Sequence, residues 1–144
     1  MAFTGNYTCN VFKTGLMNGD YDFSVDTFKI ALYTNTATLD ANTTSYTTAG
    51  EASGGNYVAG GSVLTVTQVP TTGSQTGSTA VAFISFANVS WTGVITARGA
   101  LIYKSGGGNP AVCVLDFGST KVSTNTFQVQ FPASTNTAAI IRIA

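Results

Sequence analysis

The residues best equipped for chemistry lie in "GDYDFSVD", which gathers Asp20, Asp22 and Asp26 in one short stretch. Hard cations want several oxygens, so three neighbouring carboxylates invite a calcium reading. An EF-hand loop counted from Asp20 would need glycine at its sixth position and a bidentate glutamate at its twelfth, where Val25 and Ala31 stand. The spacing therefore predicts that the aspartates solvate a turn, with Asp26 marking the entry to a strand, and no metal is expected. The other acids are Asp40, Glu51 and Asp116. Glycosidase chemistry needs two carboxylates facing each other across a sugar, and no pattern selects a pair among these six. With no histidine, the chain lacks the base of Ser-His-Asp and Cys-His sites and the usual zinc sphere. Cys9 and Cys113 are too few for a structural zinc site. Cys113, inside "AVCVLDF", is expected to pack as a small hydrophobe. A disulfide between the two is possible; free thiols are the expectation, because "MAFTGNYTCN" has no basic segment leading into an apolar core and no signal peptide is foreseen. No catalytic residue and no cofactor is assigned.

Two segments, "GEASGGNYVAGG" and "KSGGGNP", are glycine-rich but lack the Gly-Lys-Ser/Thr ending and the following helix of a phosphate cradle. Their glycines fit hairpin turns instead. Trp91 with Tyr33, Tyr46, Tyr57 and Tyr103 offers either a stacking platform for sugars or ordinary core packing, the latter favoured for Trp91 between "ANVS" and "TGVI". Arg98 and Arg142 stand among apolar neighbours, to anchor an interface or, more commonly, to snorkel to a sheet edge. Six basic and six acidic residues cancel, leaving no basic field for nucleic acid and no polybasic patch for a lipid surface. No apolar run approaches the roughly 20 residues that span a bilayer. A chain near zero net charge also lacks colloidal repulsion, which suits life in an assembly.

At 144 residues the chain fits one domain, 1–144, able to bury about 70% of its extended surface. Hydrophobic residues make up 44% and charged ones 8%, the reverse of a disordered composition. Residues 1–19 hold the one helical candidate: Val11, Phe12, Leu16 and Met17 form a stripe, and Gly19 supplies a left-handed stop. Residues 20–144 read as strands. "DTFKIALYT" alternates, with Phe28, Ile30 and Leu32 facing one way. "SVLTVTQV", "AVAFISFANVSW", "RGALIYK", "AVCVLDF", "NTFQVQF" and "AAIIRIA" follow, with Pro70, Pro110 and Pro132 at run ends and "PTTGSQTGSTA" as a loop. The pattern predicts an all-β fold, an antiparallel sandwich or jelly roll of seven to eight strands with a short N-terminal helix. "AVCVLDF", apolar on both faces, needs a second cover, either the helix or another subunit.

The order of these segments resembles a group of small all-β virion structural proteins of tailed bacteriophages, described as capsid decoration or cement-like proteins. The pieces that carry the resemblance are "DTFKIALYT", the Glu51–Gly61 loop with Tyr57 and its double glycine, "TARGALIYK" and "LDFGS", within a likeness that covers nearly the whole chain. It implies a non-enzymatic protein of the virion, binding the outside of the head and stabilising contacts between capsomers of major capsid protein. It also implies self-association, as a homotrimer. The alternative of a different class is a tail or head-fibre module that binds a receptor or carbohydrate.

Overall fold

The computed structural model describes residues 3–73 and 81–143. It is mostly strand, with antiparallel sheets and one short helix. The elements run β1 (Tyr7–Thr8), α1 (Asn10–Asn18), β2 (Phe28–Tyr33), β3 (Ser62–Val63), β4 (Val66–Gly73), β5 (Val81–Phe86), β6 (Val89–Thr92), β7 (Thr96–Lys104), β8 (Ala111–Val122), β9 (Thr126–Val129) and β10 (Ile141–Ile143). A five-stranded sheet has the order β1-β8-β7-β2-β3, a three-stranded sheet β10-β5-β4, and β6 pairs with β9.

Ten described strands replace the expected seven to eight for identifiable reasons. "SVLTVTQV" is divided: β3 pairs with β2, β4 with β5, and the chain changes sheet at Leu64–Thr65. "AVAFISFANVSW" likewise breaks at Ala87–Asn88, where the Asn88 carboxamide oxygen accepts the Phe131 N–H at 2.8 Å. Periodicity along the chain does not register a change of partner. Residues 1–19 are not purely helical either, because β1 precedes the helix and pairs with β8. Pro70 falls inside β4 rather than at its end. It sits on an edge strand within a register shift between Gln68 and Thr71, where a missing N–H breaks no ladder. β4 also takes in the start of the expected loop after Pro70, and the rest of that loop, 74–80, lies outside the described residues.

Helix α1 ends as expected. Gly19 takes φ 78°, its N–H bonds the Leu16 carbonyl at 3.3 Å, and the Asp20 N–H bonds Gly15 at 2.8 Å, a Schellman closure. The stripe is narrower than expected. Phe12 is buried, Val11 and Leu16 half-buried, and Met17 is 90% exposed. Tyr21 fixes the helix to the sheet: its ring meets Phe12 edge-on at 4.9 Å, and its hydroxyl donates to the Ala111 carbonyl at 2.9 Å.

The core is built on β2, β7 and β8. In β2 the expected alternation gives way, because Ala31 and Tyr33 are as buried as Ile30 and Leu32. The 34–61 segment runs along the edge of β2, its Ala52 N–H bonding the Leu32 carbonyl at 2.8 Å, and contributes the buried Ala37, Leu39 and Ala52 to the same core. Ala111 to Val114 are also buried on both faces, with α1 against β8. The cover for "AVCVLDF" therefore comes from the chain itself, and this hairpin offers those residues to no second subunit.

Candidate functional site

Four tyrosines and the chain's single glutamate meet beside β2. Glu51 lies in an isolated bridge with Tyr33, at the end of a turn closed by Gly50. Its Oε2 accepts the Tyr46 hydroxyl at 2.7 Å, and its Oε1 accepts the Tyr57 hydroxyl at 2.6 Å and the Gly60 N–H at 2.7 Å. Tyr103 donates to the Gly60 carbonyl at 2.7 Å and stacks on Tyr46 at 4.9 Å, while Tyr33 donates to the Thr47 carbonyl at 2.6 Å. The Tyr57 oxygen accepts the buried Leu32 N–H at 2.9 Å. β3 pairs with β2 only at Lys29 and Ile30, so this phenol stands in for the strand that stops short of Leu32.

Gly61, at φ 71°, permits the return from this loop into β3: a Cβ there would collide with the Ile30 carbonyl. That conformation is open to glycine at little steric cost. Tyr57 also lies 5.5 Å from Trp91, which ties β6 to the same cluster. Burial, reinforced by the hydrogen bond to Glu51, raises the Tyr46 and Tyr57 phenols well above their ordinary range. Burial raises Tyr33 and Tyr103 as well. The phenols remain protonated donors, and three donors occupy the carboxylate. The arrangement is a cross-link that pins the 34–61 segment to the sheet. For a sugar platform Tyr33 and Tyr103 offer no stacking face, being buried, while Tyr46 and Tyr57 are half-buried. Trp91 is in the core, as its flanks suggested.

The aspartates of "GDYDFSVD" are employed locally. Asp22 Oδ1 accepts the Ser24 N–H at 2.9 Å and the Ser24 hydroxyl at 2.5 Å. Asp26 Oδ2 accepts the Asp22 N–H at 2.8 Å and pairs with Lys104 at 2.9 Å. These bonds hold both carboxyls below their usual range, the Ser24 hydroxyl bond leading for Asp22 and the Asp22 N–H for Asp26. Lys104 also donates to the Asp20 backbone carbonyl at 2.6 Å. Among the described residues no three histidine, cysteine or acidic side chains converge to hold a metal.

Arg98 and Asp116 form an ion pair across β7 and β8 with only 13% and 11% of their side chains exposed. Arg98 also lies over the Phe3 ring at 5.8 Å, and Asn6 accepts the Asp116 N–H at 2.7 Å. The pair locks the N-terminal arm onto the sheet. In the sequence Arg98 stands among apolar neighbours, because its partner lies eighteen residues away, beyond any local pattern. The Glu51 cluster is equally invisible to periodicity, and the signal for it is one glutamate set between Tyr46 and Tyr57.

Cys9 and Cys113 are both free and buried. Thr8 is paired with Cys113, and the Cys9 N–H bonds the Val112 carbonyl at 3.0 Å. Cys9 is thus opposite Val112, one step along from Cys113. Side chains one step apart point to opposite sheet faces, so the register does not align the two thiols for a bond. Burial pushes Cys9 up to about 11 and Cys113 to about 12, which leaves both as unreactive thiols at neutral pH.

No helix among the described residues is long and apolar enough to cross a membrane. Comparison of the chain with protein-family models, curated proteins and solved structures finds no match.

Proposed function

We propose that this chain is a non-enzymatic structural protein of a bacteriophage virion, a decoration protein on the outside of the head. It would cement capsomers of major capsid protein, and do so as a homotrimer. The fold supporting this role is read as a β-sandwich. Phe28 of the five-stranded sheet and Phe86 of the three-stranded sheet approach to 6.4 Å, with Phe23 stacked on Phe28 at 4.3 Å, an aromatic seam between facing layers.

The observation that carries the reading is where the distinctive residues go. The segments that resemble decoration proteins supply cross-links: Glu51, Tyr57 and Gly61 in one loop, Arg98 and Tyr103 in "TARGALIYK", Asp116 in "LDFGS". What remains outside is a sparsely charged surface, its six cations and six anions balanced, bearing exposed aliphatic side chains, among them Met17, Val25, Val58, Val94, Val122 and Ile143. A rigid body of this kind stabilises an assembled lattice by binding it in preference to free subunits, and a trimer adds three modest footprints by avidity. With net charge zero, attachment rests on shape, apolar contact and strand-edge hydrogen bonds.

The test is co-sedimentation of purified protein with undecorated heads, repeated at about 0.5 M salt, where charges are screened within a few ångströms. Binding that persists is expected. Failure to bind heads, with capture by host cells or glycans instead, would move the chain to a tail or head fibre. Its copy number per virion separates the same two cases: hundreds for a shell, a dozen or so for a fibre.

A further inference from the structure

β10 is the outermost described strand of its sheet, and an open trough lies beside it. The cavity, about 740 Å³, is walled on one side by Lys13, Leu16 and Met17 of α1 and on the other by Ala139 to Ile143. Phe12 also lines it. The trough touches Ile141, Arg142 and Ile143, every residue of the outermost described strand of its sheet. A neighbouring cavity of about 340 Å³ shares Ile141 and Ile143 and reaches inward to Ala82, Phe83 and Ile84 of β5.

β10 ends its sheet, with β5 on its other side. The edge backbone therefore has no strand partner among the described residues. Both walls are apolar and open, Met17 being 90% and Ile143 53% exposed. The rim is charged with one sign: Lys13 and Arg142 line the trough and no acidic residue does. The ion pairs among the described residues are Arg98–Asp116 and Lys104–Asp26, so neither rim cation has a carboxylate partner there. Lys13 reaches only the Asn10 carboxamide at 3.4 Å and Arg142 the Thr137 carbonyl at 2.7 Å.

We propose that the trough between α1 and β10 is a docking site for an extended segment of a partner protein, apolar at alternate positions and carrying a carboxylate. The segment adds a strand to β10, seats its apolar side chains between Leu16, Met17 and Ile143, and sets its acid against Lys13 or Arg142. Main-chain bonds supply affinity in such strand addition and alternate pockets supply specificity. The site goes beyond the decoration reading and does not require the partner to be a capsid protein.

The test selects binders from a displayed library of random dodecapeptides on the full chain. Selected peptides should alternate apolar residues and contain an acid. As a synthetic peptide, the best binder should slow amide exchange at Ile141 to Ile143. Met17→Asp and Arg142→Glu change exposed side chains, so both variants should keep the wild-type unfolding midpoint. Arg142→Glu should weaken the peptide on the order of tenfold, and a peptide with lysine in place of its acid should recover binding to that variant. Selected peptides that bind Met17→Asp and Arg142→Glu unchanged overturn the proposal, as does an absence of enrichment. A dimer of the chain that Met17→Asp dissolves would also overturn it, by making a second copy the occupant. The exchange measurement uses the wild-type protein and decides the matter even if a variant misfolds. None of these outcomes depends on head binding.

Discussion

Removing the Tyr57 hydroxyl tests the cross-link where it matters most. Tyr57→Phe deletes a single oxygen and leaves the ring beside Trp91. Two bonds go. The Leu32 N–H, fully buried, loses its acceptor at 2.9 Å, and Glu51 loses a donor at 2.6 Å. An orphaned buried donor costs about 1–3 kcal/mol and a bond to a charged group contributes about 1.5–3 kcal/mol. Since Glu51 keeps Tyr46 and Gly60, the lower part of that range applies, and the expected loss is about 3 kcal/mol. With a urea slope near 1.5–2 kcal/mol per molar, the midpoint should fall by roughly 1.5–2 M. Trp91 is the chain's one tryptophan and lies 5.5 Å from Tyr57, so its fluorescence reports the transition directly. Amide exchange gives an independent reading: Leu32 should lose protection while Ile102, deep in β7, keeps it. A loss below about 0.5 kcal/mol with Leu32 exchange unchanged would refute the reasoning. Water would then be serving Leu32, and the phenol would not be closing the sheet.

Alkaline pH should destabilise the protein. Burial raises Cys9 from its ordinary 9.0 to about 11, Cys113 to about 12 and Tyr21 from 10.0 to about 12. A raised pKa means the unfolded chain ionises first, so this stability is fully present below about pH 9 and is lost as pH rises from there towards 12. A urea midpoint that stays constant up to about pH 11 contradicts this linkage. Asp116→Asn should cost about 3 kcal/mol by stranding the Arg98 charge, whereas Arg98→Met combined with Asp116→Leu should recover most of it; denaturation of the three variants makes the comparison. Gly99→Ala places a Cβ against the Phe3 ring and the Leu115 carbonyl. It should lift the N-terminal arm and speed chymotryptic cleavage at Tyr7, with a stability loss of about 2 kcal/mol.

The strand segments, the single helix and its Gly19 stop were legible because period and turn chemistry are local properties. "DTFKIALYT" and "NTFQVQF" could be placed from alternation alone. Where the reading failed, a distant partner had intervened. Met17 belonged to an apolar stripe by spacing, yet α1 packs through Phe12 and leaves Met17 at an open trough. Pro70 looked like a terminator, and an edge strand with a register shift absorbed it.

By itself the sequence determined a β-rich, nearly uncharged chain without histidine. Composition and periodicity need no third dimension. Only the tertiary structure decided that Tyr57 caps Leu32, that Arg98 finds Asp116, and that β10 is the outermost described strand of its sheet, beside cationic side chains. Each of those depends on which strands become neighbours, and neighbours in a sheet are chosen by the burial of whole faces across the chain, which no local window of residues records.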